Sequence, residues 1–287
     1  MPAIIPGYGA DPAYICFVSP SALCDVACVI RTRVYILSAF CLLLIQAVDA
    51  VTVYIMDNGI RADHEAFAGI EMESVDLQVE RGEGGAAYGE HATHVAGLVI
   101  ERAPSVKLVS VRTLDEQGAG KWSDFIKGVH WITNHHRPGE PAVANLSLGG
   151  VPENPRIKNL VTQAVDKLVA SGVVVVVAAG NDGDDVPDRI PSTLESVISV
   201  GASGRLVSRL RNSNFGSCAD LFALGENLRG PSARSRKARR KDSGTSMAAA
   251  VVTGHVASYL AGAPAATPGE VKSWVLENSP DGGFRFR

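Results

Sequence analysis

The sequence predicts an α/β fold with three layers, α/β/α, around a mainly parallel, doubly wound sheet. Three observations predict it. Short β-branched runs recur without polar alternation, as strands do when helices cover both faces of a parallel sheet. Helical patterns lie between those runs, which implies right-handed crossovers. Polar residues of chemical interest stand just after strands or at helix starts, on the edge where open α/β sheets build their crevices.

Residues 1–49 stand apart from this pattern. Cys16, Cys24, Cys28 and Cys41 fall there, and only Cys218 falls beyond. An odd total leaves at least one thiol unpaired within the chain. Two disulfides among the first four are compatible with the sequence, but Cys24 and Cys28 lack the follow-up spacing of a zinc site. Arg31-Thr32-Arg33, the apolar run Val34 to Ile45 and Ala47-Val48-Asp49-Ala50 have the layout of a secretory signal. The layout begins at Arg31 rather than near residue 1, so a misassigned start or exon boundary is narrowly favoured over a displaced signal. The apolar run is shorter than the ~20 residues that span a bilayer, and stable membrane insertion is not expected.

The repeating pattern occupies residues 51–280, read as one domain because no cut leaves a complete set of motifs on one side. Val51 to Met56 is the first strand and leads into Asp57-Asn58-Gly59. His91, in Glu90-His91-Ala92-Thr93-His94-Val95-Ala96-Gly97, stands at a helix start. Lys107 to Val111 and Ala142 to Leu148 are further strands, the second running into Gly149-Gly150. From Arg156 to Ala170, Ile157, Leu160, Val161, Ala164, Val165, Leu168 and Val169 form one apolar helical stripe. Val173 to Ala179 is a strand followed by Gly180-Asn181, and Val197 to Val200 is another. The segment from Ser246 to about Ala261 is apolar nearly all round and reads as a buried central helix.

A hydroxyl is a poor nucleophile at neutral pH and needs a base within reach and a third group to orient that base. Ser246, in Ser243-Gly244-Thr245-Ser246-Met247-Ala248, has candidates for both in His91 and Asp57. Their predicted positions share one edge of the sheet. The expected chemistry is serine peptidase chemistry: His91 takes the proton from Ser246 as it attacks a peptide carbonyl, and Asp57 fixes the imidazole tautomer. His94 follows one helical turn after His91, but the Glu between two histidines at i and i+4 that marks a common zinc site is lacking. A structural His94 is the expectation.

With these flanking residues, and with the chain order Asp, His, Ser that is subtilisin's own, the sequence resembles the subtilisin-like peptidases, closest to the proteinase K group. The resemblance implies a subtilisin-like fold and hydrolysis of peptide bonds through an acyl-enzyme intermediate. It assigns Asn181, in Ala178-Ala179-Gly180-Asn181, to the oxyanion hole beside the backbone N–H of Ser246. Gly118, Ala119 and Gly120 on one side, and Ser147, Leu148 and Gly149 on the other, resemble the segments that grip substrate as an added β-strand. Trp122 resembles the aromatic wall for the fourth residue before the cut, which implies broad specificity with an apolar or aromatic preference; an ordinary core anchor is the other reading of Trp122. Glu195, Val197 and Asp220 fall where some relatives hold a structural calcium. No cofactor is expected for the chemistry itself.

Several residues depart from the family pattern. Asn58 stands for a Thr or Ser beside Asp57. Glu90 and Ala92 replace glycines flanking His91, and Glu90 is expected to raise the His91 pKa. Glu195, Ala250 and Leu224 replace prolines. Residues 1–49 resemble neither the mature start nor the prodomain, and the chain stops soon after Trp274-Val275-Leu276. Arg229 to Lys241 is basic where relatives carry a surface strand; a solvated loop or a misread exon is favoured there over polyanion binding.

A net charge of −3 excludes neither solubility nor secretion, and it gives no reason to expect a nucleic-acid partner. The expected protein is a secreted, monomeric endopeptidase acting on proteins or peptides. The rivals are an inactive homologue that keeps the cleft as a peptide-binding module, a Ser-Glu-Asp acid peptidase, and a membrane-tethered or polyanion-binding protein.

Overall fold

Alternate residues of one strand serve two different cores. In β1 (Thr52–Asp57), Val53 and Ile55 enter one hydrophobic cluster, while Tyr54 and Met56 enter another. Side chains on a strand alternate in direction, so a run apolar at every position must be covered on both sides. The same division recurs along β5 (Val173–Ala178), where Val174 and Val176 face the first cluster and Val173, Val175 and Val177 the second.

The structure is a computed structural model and describes residues 50–78, 88–206 and 208–279. The cysteines at 16, 24, 28 and 41 and the signal-like run up to residue 49 lie outside the described residues. The remaining sheet strands are β2 (Glu71–Asp76), β3 (Lys107–Arg112), β4 (Ala142–Leu146), β6 (Ile198–Ser203) and β7 (Leu221–Leu224). They join in the order β2-β3-β1-β4-β5-β6-β7, with every pairing parallel. The order reverses at β1, so the crevice expected beyond the carboxyl ends lies next to Asp57.

Helices α1 (Glu90–Ile100), α4 (Thr245–Gly262) and α5 (Pro268–Glu277) supply the first cluster; α2 (Trp122–His135) and α3 (Pro155–Ala170) supply the second. This is the predicted three-layer arrangement. Helix α4 is buried along most of its length, as its lack of a polar face predicts. In α3, Asn154 accepts from the Ile157 N–H at 3.1 Å as an N-cap, and Val161, Ala164, Val165 and Leu168 are buried as the stripe predicts. Leu160 of that stripe is 45% exposed, because a position at the margin of a helical stripe need not face the sheet.

The basic run is a loop only over residues 232–238. Residues Leu228–Pro231 (β8) and Arg239–Asp242 (β9) pair as an antiparallel hairpin against α1. Some of its charges find partners: Arg234 and Arg240 lie 3.2 and 3.8 Å from Glu90, Arg240 lies 2.7 Å from Asp242, and Arg236 lies 3.7 Å from Asp63. A basic composition with its counter-charges on neighbouring elements folds where one without them stays solvated.

Candidate active site

Asp57 ends β1 and is fully buried. His91 is the second residue of α1, and its Nδ1 stands 2.7 Å from Asp57 Oδ2. The other carboxylate oxygen accepts from the Asn58 N–H at 2.7 Å. A carboxylate at Nδ1 favours the tautomer protonated there, which leaves Nε2 to act as a base. Asn58 also has a second task. Its Oδ1 accepts from the Ala92 N–H at 3.0 Å, one of the orphan amides in the first turn of α1. The side chain thus ties the strand that carries Asp57 to the helix that carries His91. A Cβ on Gly89 would fall 2.2 Å from the Asn58 side chain, so the two residues fit only together.

Burial by itself lowers the affinity of His91 for a proton, but the charge and hydrogen bond of Asp57, joined by Asp242, outweigh it and raise the pKa above 6.5, against an opposing Arg240. Glu90 is not among the groups that set this shift. Its carboxylate accepts instead from Ser232 Oγ at 3.0 Å and the Ala233 N–H at 3.1 Å, locking the hairpin to the start of α1. The neighbour expected to tune the base therefore positions the hairpin, while Asp57 chiefly, and then Asp242 of that hairpin, raise the pKa of the base.

Ser246 is the second residue of α4 and is 8% exposed. Its N–H belongs to the first helical turn, where amides have no intrahelical acceptor. Thr245 joins that turn to the loop after β5. Its N–H and Oγ1 both donate to Asn181 Oδ1, at 3.0 and 3.2 Å, and its Oγ1 accepts from the Gly180 N–H at 3.2 Å. With the carbonyl end of the Asn181 amide held in this way, its NH2 end is the part left to serve the cleft. A chain of contacts fixes the opposite side: Thr253 to Asn145 at 3.0 Å, Asn145 to Ser147 at 2.9 Å and Ser147 to the Ser246 carbonyl at 3.3 Å. Among the described residues no hydrogen bond joins His91 to Ser246; both face one cleft, and bonds of this kind are often long without substrate and tighten in its presence.

The cleft has a volume of about 630 Å³ and is lined by His91, Ser246 and Asn181. Gly118, Ala119, Gly120 and Trp122 line it, as do Ser147, Leu148 and Gly149. Each sequence-predicted substrate residue thus reaches the same cavity. Trp122 meets Phe125 edge-on, with centroids 5.8 Å apart. Sequence reasoning passed over Asn58's capping role, Thr245, the fully buried Asn214 and Arg189. Asn214 Oδ1 accepts from the Asp182 and Gly183 N–H groups at 2.8 and 3.0 Å and so shapes the loop after Asn181. Thr245 adjoins the serine and was legible in principle; Asn214 and Arg189 lie in loops with no periodic signal.

His94 is buried, with Nδ1 3.2 Å from the Pro231 carbonyl oxygen. Burial lowers its pKa, and it stands between α1 and the hairpin as a packed residue.

The oxygens assigned to calcium do converge, but on an ammonium. Lys272 Nζ of α5 donates to the carbonyls of Glu195 at 3.0 Å and Val197 at 2.7 Å and stands 3.2 Å from Asp220 Oδ2. An ammonium has three donors and no acceptor, which matches three oxygens of this kind. A calcium ion needs six or more oxygens and would meet the positive charge of Lys272. The residues present fit an internal cation and not calcium. Among the described residues, no group of three or more His, Cys, Asp or Glu side chains is placed to hold a metal, and no helix is long and apolar enough to cross a membrane.

Comparison with known proteins adds a family. The sequence profile of the subtilase family, Peptidase S8, matches residues 49–286. The chain is 36% identical over 238 residues to the sexual-differentiation subtilase-type proteinase isp6 of Schizosaccharomyces pombe, covering 81% of this chain and 50% of that protein. It is 39% identical over 230 residues to the extracellular serine proteinase of a Thermus species, covering 79% of this chain and 54% of that one. The chain therefore spans about half the length of these curated relatives. Among solved structures, a cold-adapted subtilisin-like serine proteinase superposes with a TM-score of 0.73 at 32% identity, covering 82% of this chain and 84% of the other.

Proposed function

The chain belongs to the subtilase family, and from that premise and the site we infer that it is a serine endopeptidase. The observation that carries the reading is the 2.7 Å pair of a buried Asp57 and His91 on a cleft that also holds Ser246 at a helix N-terminus. His91 Nε2 takes the Ser246 hydroxyl proton as Oγ attacks the carbonyl carbon of the scissile bond. The Asn181 amide and the Ser246 N–H receive the oxyanion; removing one such side-chain donor costs about 100- to 1000-fold in turnover. His91 then gives its proton to the leaving amine, an acyl-enzyme remains on Ser246, and water activated by His91 releases it.

Substrate lies between Gly118–Gly120 and Ser147–Gly149 as an added strand, held through main-chain hydrogen bonds that tolerate many sequences. Trp122 and Phe125 give the far end of the cleft an apolar wall, which supports a preference there for apolar or aromatic side chains. Secretion is supported by the relative named an extracellular serine proteinase.

The test is covalent labelling of Ser246 by a fluorophosphonate, read as intact mass. Native wild-type protein is expected to gain one adduct, with none in Ser246→Ala or heat-denatured protein. A folded wild-type sample that takes no label would overturn the reading and favour a peptide-binding module.

A further inference from the structure

A cation lines the cleft beside the nucleophile. Arg189 lines the same cavity as Ser246 and Asn181. Its side chain is 19% exposed and bridges the two segments that border the nucleophile. One terminal nitrogen donates to the Gly149 carbonyl at 3.3 Å, on the Ser147–Gly149 side. The guanidinium lies against Gly180 on the other side: a Cβ there would fall 2.5 Å from Arg189 Nε, and the φ of +107° suits glycine. A side chain that enters between Ser147–Gly149 and Gly180–Asn181 therefore ends at a guanidinium.

Resting on the serine-peptidase reading above, we propose that Arg189 is a specificity-determining residue, which selects a carboxylate side chain, Glu or Asp, on the substrate residue whose carbonyl Ser246 attacks. That residue is identified by position. Its carbonyl must lie between Ser246 and Asn181, so its side chain is the one that reaches the space between the two bordering segments. Of the five guanidinium N–H donors, the described hydrogen bonds engage one with Gly149 and one with Asp182 Oδ2 at 2.8 Å. A fork of this kind binds a second carboxylate with directional, charge-assisted bonds.

Asp182 is the competing charge. It also accepts from Asn214 Nδ2 at 2.9 Å, but its side chain is 53% exposed, so water screens it more than it screens Arg189. The selection is accordingly moderate. The cleft as a whole prefers an apolar residue at its Trp122 end and an acidic one beside the cut, and a large aromatic beside the cut would meet the guanidinium.

The experiment separates this selection from catalysis. Binding of otherwise identical, fluorescently labelled peptides carrying Glu, Gln or Phe at that position is measured by anisotropy on full-length Ser246→Ala protein, and kcat/KM for the same peptides is measured on the wild type. Glu is expected to exceed Gln by about 10-fold in affinity, as a desolvated charge pair does over a neutral isostere. Arg189→Leu in the Ser246→Ala background brings that ratio to about 1 and improves Phe. Asp182→Asn, which leaves Arg189 in place, widens the ratio. Phe bound best by Ser246→Ala protein, or a Glu-to-Gln ratio near 1 that Asp182→Asn fails to widen, overturns the proposal. Glu selection that persists while the wild type neither cleaves nor takes the fluorophosphonate leaves the proposal standing and refutes the peptidase reading.

Discussion

Two of the places where this molecule brings a basic nitrogen to a carboxylate are built differently. At the catalytic corner, His91 Nδ1 meets Asp57 at 2.7 Å, and the carboxylate is fully buried at the end of a central strand. At the other, Lys272 Nζ meets Asp220 at 3.2 Å and two backbone carbonyls, and that carboxylate is 31% exposed. The first pair uses one acceptor to orient an imidazole and leaves its other nitrogen for chemistry. The second uses three acceptors to hold an ammonium, with nothing directed at the cleft. A family pattern carried the first intact because both residues sit inside quoted motifs. It gave the oxygens of the second but not their partner, since Lys272 lies on α5, far along the chain from Glu195 and Val197.

The largest difference between the two places is expected in turnover. Asp57→Asn keeps the shape of the side chain but favours the wrong imidazole tautomer, and kcat is expected to fall about 10,000-fold. Asp220→Asn, the matching change at the second place, leaves kcat within about twofold, because it is made far from the reacting atoms. Steady-state kinetics on one peptide substrate reads both. A loss below about 10-fold for Asp57→Asn would mean that His91 is oriented by something other than this carboxylate.

Stability inverts the ranking. Lys272→Ala leaves the Glu195 and Val197 carbonyls and Asp220 without their shared donor, and hydrogen bonds to charged groups contribute about 1.5–3 kcal/mol each when well buried. Lys272 is 23% and Asp220 31% exposed in their side chains, so the expected total is about 1–2 kcal/mol after screening. For a domain of this size that lowers Tm by about 2–8 °C. Removing the ammonium also frees three oxygens, so added calcium should raise the Tm of Lys272→Ala protein more than that of the wild type. Equal calcium responses by scanning calorimetry would show that the ammonium and the metal do not compete for one place.

The same contrast explains what could be read in the sequence. The strands that were legible, such as β1 and β5, are those buried on both faces, where apolar residues are required at every position. Strand β2 was not, because it sits at the sheet edge with charged residues such as Glu71 and Glu73, which pair with Lys107. Strands β8 and β9 are hidden by a composition that resembles a solvated loop, and the pairing of Arg234 and Arg240 with Glu90 of α1 appears only once the chain is folded. At the site, the residues within motifs were legible as types in an order. Their supports were not: Asn58 as a helix cap, Asn214 under the Asn181 loop and Arg189 in the cleft lining depend on contacts between segments brought together only by the crossovers.

The smallest effect concerns pH, and it belongs to the catalytic corner alone. Burial disfavours the His91 cation, but Asp57 and then Asp242 overcome this, so the folded pKa lies above the ordinary 6.5. The base works only when neutral, so activity should fall as pH drops through that raised value. Asp242→Asn removes one of the groups that raise it and leaves Arg240 opposing, so the acid limb of kcat/KM should move to lower pH; an unmoved limb would remove Asp242 from the account. Lys272→Ala should not move the limb. Linkage gives the accompanying stability: a group whose pKa is higher in the folded state stabilises the fold fully below its unfolded value and loses that contribution as pH rises through the folded one. Starting near pH 6.5, activity therefore rises across the window in which the charged His91–Asp57 pair ceases to stabilise the protein.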